Sequence, residues 1–128
     1  LLSDGHPLAR QEAISLKDLS EEPFVLGSKG SWAAFRHIVF SACREAGFSP
    51  NVVQEASTSD GIFGLVSANI GVSLYPGCVR SIQRQGLTIR PLEGGVHQVE
   101  TLAVWRSDSV SPSVQRFVST LSNIIRHL

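Results

Sequence analysis

Short apolar runs alternate along this chain with longer segments of helical periodicity, and this alternation restricts the fold more than any other feature. Residues 23–26 form a short apolar run that predicts a strand, and residues 27–31 form the loop after it. The next segment has the three- and four-residue spacing of a helix, carried by Trp32, Phe35, Ile38, Val39, Ala42, Cys43 and Ala46. Strands that alternate with helices indicate right-handed crossovers and a mostly parallel sheet. We therefore expect an α/β fold.

Residues with capping preferences indicate where the helices begin and end. Ser31 is predicted to be the N-cap of the first helix, and Gly47 is predicted to end it in the left-handed conformation. Residues 51–56 are predicted to be a second strand, and the hydroxyl and acidic residues at 57–60 predict the start of a second helix. Asn69 tolerates a positive φ and is predicted to end that helix.

The second half of the chain continues the alternation. Strands are predicted over residues 71–76, 87–90 and 101–105, with a short helix over residues 79–84. Ser111 and Pro112 predict the start of a last helix, because serine caps well and proline suits the first helical position. This helix is predicted to dock on a core through one apolar face, formed by Val114, Phe117, Val118, Leu121, Ile124, Ile125 and Leu128.

Composition excludes several classes of protein. The 128 residues carry a formal net charge of zero with 42% hydrophobic content, which favours a globular domain over a nucleic-acid clamp or a polybasic membrane surface. The first residues contain neither a Met nor the regions of a signal peptide, so we expect a portion of a longer, non-exported protein. Cys43 and Cys78 are predicted to be reduced core thiols. No spacing indicates a metal site, a cofactor or a catalytic residue.

Three segments are predicted to meet at one edge of the sheet. Ligands of parallel α/β sheets bind beyond the carboxyl ends of the strands, near the N-termini of helices. Residues 27–31, 57–59 and 75–78 occupy such positions and are rich in small and hydroxyl-bearing side chains. Free amide groups and the positive end of a helix dipole suit a carboxylate or another small anion. A plain turn with helix caps is the alternative interpretation of these segments.

The order of several motifs resembles the effector-binding domain of LysR-type transcriptional regulators. His6-Pro7-Leu8-Ala9 is followed by residues 14–19 (ISLKDL), 22–26 (EPFVL) and 46–50 (AGFSP). Residues 65–76 (LVSANIGVSLYP) resemble the family's LVAAGxGVALxP segment, with Asn69 in place of the usual glycine. Residues 102–106 (LAVWR), Ser111-Pro112 and the amphipathic last segment resemble its carboxyl end. The family's helix-turn-helix and the first half of its effector domain have no counterpart here.

The resemblance implies a fold similar to type II periplasmic binding proteins, in which two α/β lobes enclose a cleft. Residues 1–14 would end the first lobe and its crossover, residues 15–98 would form the second lobe, and residues 99–128 would be the crossover strand and the helix that returns to the first lobe. The last helix would then pack on a lobe mostly absent from this sequence. By the same resemblance, Val99 would face the ligand from the crossover strand.

The function implied is that of a non-enzymatic sensory domain in a bacterial, cytoplasmic, DNA-binding regulator. A small and anionic inducer would bind between the lobes and change the arrangement of a homo-oligomer, a dimer or tetramer, with DNA bound only by the helix-turn-helix domain and with no membrane partner. Alternatives are a solute-binding protein of a transport system, an enzyme of similar fold, and a structural oligomerisation piece with a vacant cleft. The candidate effector-binding residues are Gly27, Ser28, Lys29, Gly30, Ser31, Ser57, Thr58, Tyr75, Pro76 and Val99.

Overall fold

Two parallel strands with a helix on each face form the centre of the fold. The computed structural model describes residues 1–94, 99–100, 102–106, 108 and 111–126. Its strands and α-helices are β1 (Leu2–Ser3), β2 (Pro23–Gly27), α1 (Ala33–Glu45), β3 (Asn51–Ala56), α2 (Ser59–Ser67), β4 (Leu87–Thr88) and α3 (Pro112–Ile125). Short 3-10 helices occupy Pro7–Arg10, Leu16–Leu19 and Gly77–Ser81. The predicted strand-helix-strand-helix order over the first 67 residues is confirmed.

The sheet extends on both sides of β2. On one side β2 pairs with β3 in parallel, with Gly27 opposite Ala56 at the carboxyl end. On the other side the Val25 N–H donates to the Val72 carbonyl, and the Val72 N–H donates to the Pro23 carbonyl, both at 2.8 Å. The third strand predicted over residues 71–76 is thus parallel to β2, but its pairing with β2 reduces to a single bridge at Val72. Beyond it, Pro76 has no N–H to donate and the chain turns into the 3-10 helix.

The fourth predicted strand pairs with the start of the chain. Leu2 lies opposite Thr88 and Ser3 opposite Leu87, so β1 and β4 are antiparallel. The Asp4 carboxylate reinforces this pair, since it accepts from the Gly86 N–H at 3.1 Å and from the Thr88 hydroxyl at 2.6 Å. The strand covers residues 87–88 instead of the predicted 87–90.

Side chains of β2 alternate between two apolar clusters. Phe24 and Leu26 pack with Val39 and Cys43, which lie on the buried face of α1. Val25 points to the opposite face of the sheet and packs with residues of α2 such as Ile62, Phe63 and Val66. This is the period-two alternation of a strand that is buried on both faces. β2 is therefore the centre of a helix-sheet-helix sandwich.

The predicted helix ends form Schellman motifs. Gly47 has a φ of +93° and its N–H donates to the Arg44 carbonyl, while the Phe48 N–H reaches back to the Cys43 carbonyl. Asn69 has a φ of +59° and repeats both hydrogen bonds at the end of α2, so it does take the conformation that glycine favours. Both predictions of a left-handed terminator are confirmed.

The predicted start of α1 was wrong by one residue. The N-cap is Trp32, and its side chain makes no capping hydrogen bond. The Trp32 N–H donates to the Ser28 carbonyl at 2.9 Å, which closes a turn over residues 28–32 and leaves Ser31 exposed on it. The helix predicted over residues 79–84 is present as the 3-10 helix Gly77–Ser81, but its predicted end is wrong, because Arg84 bridges Leu87 in a tight antiparallel turn.

At the end of the chain, the predicted last strand is absent from the described residues, whereas the predicted last helix is present. Leu102 to Trp105 lie in no strand and are exposed, with Thr101 and Leu128 outside the described residues. Strand geometry requires a hydrogen-bonded neighbour, and these residues have none within the described part of the chain. Ser111 and Pro112 do begin α3, although the Ser111 side chain makes no capping bond. No residue of α3 is buried, so the predicted docking of its apolar face is not made by the residues described.

The two cysteines differ in their surroundings. Cys43 is buried between α1 and the sheet as predicted, whereas Cys78 is exposed on the 3-10 helix, where Val79 is the residue that faces the core. The prediction that both are core thiols is therefore wrong for Cys78. Within the described residues, no helix is long and apolar enough to span a membrane.

Candidate ligand-binding site

The loops after β2 and β3 are held together at the carboxyl end of the parallel pair. The Ser28 N–H donates to the Ala56 carbonyl at 2.9 Å, which continues the ladder by one residue beyond β2. The Trp32 indole N–H donates to the Ser57 carbonyl at 3.1 Å. These two bonds place residues 27–32 directly beside residues 56–58.

Tyr75 joins the third segment to the same edge. Its hydroxyl lies 2.6 Å from the Ser59 Oγ in the first turn of α2. Its ring centroid lies 5.5 Å from that of Trp32 and 5.2 Å from that of Phe63. The structure thus brings the segments around Ser28, Ser57 and Tyr75 together, and we call residues 27–32, 57–59 and 75 the crevice edge.

The crevice edge offers several groups suited to an anion. Thr58 is the N-cap of α2 and its hydroxyl accepts from the Gly61 N–H at 3.2 Å, as the sequence predicts. Among the described residues, no acceptor is paired with the first-turn N–H groups of Ala33 and Ala34 in α1 or of Ser59 and Asp60 in α2. Lys29 is exposed and has no carboxylate partner in the described part of the chain.

Gly27 is required by the close approach of Trp32. A Cβ atom built at Gly27 would overlap the Cγ atom of the Trp32 indole. The indole therefore packs on the backbone of β2, where its N–H can reach Ser57. The candidate role of Gly27 is thus to admit the ring that links the two loops, and it offers no side chain to a ligand.

Arg36 is a buried residue of this region that the sequence analysis missed. Its Nη1 atom donates to the Gly27 carbonyl at 2.8 Å and lies 3.0 Å from Glu55 Oε1. The signal was the spacing of positions 36, 39 and 43, which places Arg36 on the same helical face as buried Val39 and Cys43. Arg36 was missed because the buried face of this helix was predicted from its apolar residues alone.

A cavity of 830 Å³ adjoins the crevice edge at Tyr75. Pro76 and Val99 also line it, whereas the candidate residues from Gly27 to Thr58 are outside its lining, so the ten candidates do not share one pocket. Its wall includes two cations that sequence reasoning did not single out, Arg80 and Arg90. Arg80 lies in a predicted helix and Arg90 at the end of a predicted strand, and neither position indicates a place on a cavity wall. The rest of the wall is largely apolar, with residues such as Leu1, Leu2, Ile14, Leu16, Leu19, Leu74, Val79 and Leu92.

Two groups at this cavity have defined partners. The Arg90 Nε donates to the Ala9 carbonyl at 3.1 Å, which holds this guanidinium against the first 3-10 helix. The Leu1 backbone nitrogen donates to the Ser73 carbonyl at 2.6 Å. Among the described residues, no group of three His, Cys, Asp or Glu side chains could hold a metal ion.

Comparison with known proteins identifies the family. The sequence model of the LysR substrate binding domain matches residues 1–124. The chain belongs to this family. This LysR substrate-binding domain is 32% identical over 117 residues to the HTH-type transcriptional regulator AlsR of Bacillus subtilis (strain 168), a match that covers 91% of the chain and 39% of AlsR.

Solved structures agree with the assignment. The effector-binding domain of BenM, determined with its effector benzoate, is 29% identical with a TM-score of 0.65 over 72% of this chain and 42% of that one. The effector-binding domain of QuiR in complex with shikimate has a TM-score of 0.68 at 20% identity over 92% of this chain and 56% of that one, a likeness of fold alone. The predicted type II periplasmic-binding-protein-like fold is confirmed by the family.

The comparisons also address the class of function. The matched family and AlsR are regulatory, so the prediction of a sensory domain of a transcriptional regulator, and not an enzyme, is confirmed at that level. They lend no support to the alternative of a transport solute-binding protein. The chain spans about two fifths of the length of AlsR.

Proposed function

We propose that this LysR substrate-binding domain binds a small carboxylate at the crevice edge. The observation that carries the proposal is the joining of three separate segments there, through the Trp32–Ser57 and Ser59–Tyr75 hydrogen bonds. Every helix N-terminus leaves its first N–H groups without intrahelical acceptors, and here two such termini lie at one place beside an exposed lysine. In this proposal the candidate contacts at the crevice edge are Ser28, Lys29, Gly30, Ser31, Ser57, Thr58 and Tyr75, with Gly27 admitting the Trp32 ring, whereas the candidates Pro76 and Val99 line the adjoining cavity.

The charge of the ligand follows from the groups around the edge. Unpaired N–H groups at the starts of α1 and α2 carry the positive ends of two helix dipoles, and exposed Lys29 adds a full positive charge. Asp60 is the acidic residue of the first turn of α2, and Arg84 neutralises it at 2.9 Å. The effector benzoate of BenM, a relative at 29% identity, is itself a carboxylate.

We propose further that the chain belongs to a longer, cytoplasmic, DNA-binding bacterial regulator that works as a homo-oligomer. DNA would be bound by a separate helix-turn-helix domain, which suits the zero net charge of this part. The effector would act by binding one oligomer arrangement more tightly than the other. The lobe boundaries at residues 14 and 98 remain part of this proposal.

The test is a comparison of charged and neutral ligands on the protein that carries this chain. A panel of small carboxylic acids, starting with benzoate, is titrated by calorimetry beside the corresponding amides, starting with benzamide. The acids are expected to bind and the amides to bind at least about tenfold more weakly, because an amide lacks the charge that the helix ends and Lys29 favour.

Two lysine variants provide a matched control. Lys29→Gln is expected to weaken binding of the acid, whereas Lys17→Gln, which removes an exposed lysine of the second 3-10 helix, is expected to leave it unchanged. Equal binding of acids and amides, or equal effects of the two variants, would contradict a carboxylate site at this edge.

A further inference from the structure

Arg36 connects the two loops of the crevice edge through a buried hydrogen bond to Gly27 and an ion pair with the exposed Glu55. It lies on the second turn of α1 and is only 9% exposed. Its Nη1 donates to the Gly27 carbonyl at the last residue of β2, at 2.8 Å. The same atom lies 3.0 Å from the carboxylate of Glu55, the residue before the end of β3. One guanidinium thus contacts the ends of both parallel strands.

The two contacts of Arg36 lie directly before the loop residues that are proposed to bind the ligand. Ser28 follows Gly27 directly, and Ser57 and Thr58 follow Glu55 by two and three residues. Beyond Gly27 the ladder has one further bond, from the Ser28 N–H to the Ala56 carbonyl. Strand ends with few remaining ladder bonds open easily. Arg36 supplies charge-assisted bonds at the place where the ladder stops.

The surroundings of Arg36 keep its side chain in this geometry. Its Cζ atom lies 5.6 Å from the centre of the Phe40 ring, one helical turn later on α1. Its backbone N–H donates to the Trp32 carbonyl at 2.8 Å, so it shares a turn with the residue whose indole contacts Ser57. The guanidinium of this 9% exposed residue would lose a charge-assisted hydrogen bond if either strand end moved away, which disfavours separation of the strand ends.

We propose that Arg36 is a positioning residue for the crevice edge: with Glu55 it fixes the separation of residues 28–31 from residues 57–58. The proposal deepens the proposed carboxylate function, since these residues are the ligand contacts named above. Arg36 itself does not touch the ligand. Its effect on binding comes through the backbone of Gly27 and the side chain of Glu55.

The proposal is tested first without any ligand, by residue-resolved hydrogen exchange on the intact chain. In Arg36→Gln, exchange is expected to accelerate about tenfold or more at the Ser28 amide and the Trp32 indole N–H, the factor for loss of a charge-assisted hydrogen bond. The Val25 amide, which donates to Val72 on the other side of β2, is expected to keep its protection. Equal acceleration at all three sites would mean general destabilisation and would overturn the proposal.

Milder variants keep the test decisive if Arg36→Gln fails to fold. Glu55→Gln leaves the Arg36–Gly27 bond intact and Arg36→Lys keeps the charge, so both are expected to give smaller accelerations at the same two protons. Arg44→Gln is the matched control, because Arg44 is an exposed residue of α1 whose side chain, among the described residues, donates to the Ser41 hydroxyl at 3.5 Å and touches neither strand end. No acceleration in either mild variant would also overturn the proposal.

Ligand titration then separates this proposal from the proposed function. Benzoate affinity is expected to fall about tenfold in Arg36→Gln at a temperature where the variant is folded, and to recover partly in Arg36→Lys. Selective exchange at Ser28 and Trp32 without any carboxylate binding to the unmodified protein would leave the positioning role intact and refute the carboxylate site. Unchanged benzoate affinity in a variant with accelerated exchange would refute the proposal that the Arg36 contacts affect ligand binding.

Discussion

Single residues at the crevice edge separate capping from ligand contact. Thr58 caps α2 through the Gly61 N–H, whereas Ser31 lies on an exposed turn before the N-cap of α1. Thr58→Ala is therefore expected to lower the free energy of unfolding by about 1 kcal/mol, and Ser31→Ala by a few tenths at most. Chemical denaturation measures both values.

The same two variants distinguish the roles in binding. If Ser31 contacts a carboxylate, Ser31→Ala weakens binding at nearly unchanged stability, which calorimetry with benzoate can detect. A stability loss for Ser31→Ala as large as that for Thr58→Ala would instead make Ser31 the cap of α1, contrary to the geometry.

The two thiols are expected to react very differently. Cys43 is fully buried, and burial raises its pKa from 9.0 to about 11, whereas Cys78 is exposed. At pH 8 a disulfide reagent is expected to modify one thiol per folded chain, and both after denaturation. Modification of the folded Cys78→Ser variant at the same rate as the unmodified chain would contradict this assignment.

Burial of Cys43 also gives a stability change with pH. The folded state keeps the thiol proton between pH 9 and 11 while the unfolded chain loses it, so stability is complete below pH 9 and falls as pH rises to 11. The loss is expected to reach about 2–3 kcal/mol. Comparison of denaturation curves with those of Cys43→Ala, which lacks this group, isolates the contribution.

At the scale of elements, two glycines predict opposite effects of the same substitution. Gly47 ends α1 with a φ of +93°, where an alanine side chain clashes with its own backbone, so Gly47→Ala is expected to cost about 1–2 kcal/mol. Gly64 lies inside α2, and a Cβ there meets no atom within 4 Å, so Gly64→Ala is expected to stabilise by about 0.5–1 kcal/mol. Thermal unfolding of both variants gives the comparison, and shifts of the same sign would contradict it.

The elements that were predicted correctly are those whose bounds depend on residues close together in the sequence. The bounds of β3 and the left-handed ends at Gly47 and Asn69 follow from apolar patterns and from the backbone preferences of single residues. The strands at residues 71–76 and 101–105 were wrong or shortened, because a strand exists only where a neighbour supplies hydrogen bonds. Sequence spacing contains no information about that neighbour.

The candidate site was predictable to a similar degree. Convergence at the carboxyl ends of parallel strands follows from the alternation of strands and helices, and the structure joins Ser28, Ser57 and Tyr75 in that way. Arg36 was missed because arginine is ordinarily exposed, and only its contacts with Gly27 and Glu55 show that it lies on the buried face of α1. Arg80 and Arg90 were missed because their place on the cavity wall depends on contacts distant in sequence.

At the scale of the whole molecule, α3 stands apart from the sandwich around β2. None of its residues is buried, and Phe117 and Ile125 are 65% and 60% exposed. A chain shortened to end at Gly94 is therefore expected to melt within about 2 °C of the full chain. It is also expected to self-associate less in analytical ultracentrifugation, because it lacks this apolar surface. Loss of the cooperative transition on shortening would contradict this picture.

The Trp32 indole packs between Gly27 and Ser57, so its fluorescence depends on the state of the crevice edge. The chain has two tryptophans, so Trp105→Phe leaves Trp32 as a single emitter, with Tyr75 at 5.5 Å as a donor of excitation energy. The quantum yield of this indole depends on its bond to Ser57 and on any molecule lodged beside it. The protein thus contains its own fluorescent reporter at the place where a ligand would enter, and occupancy can be followed with no added dye.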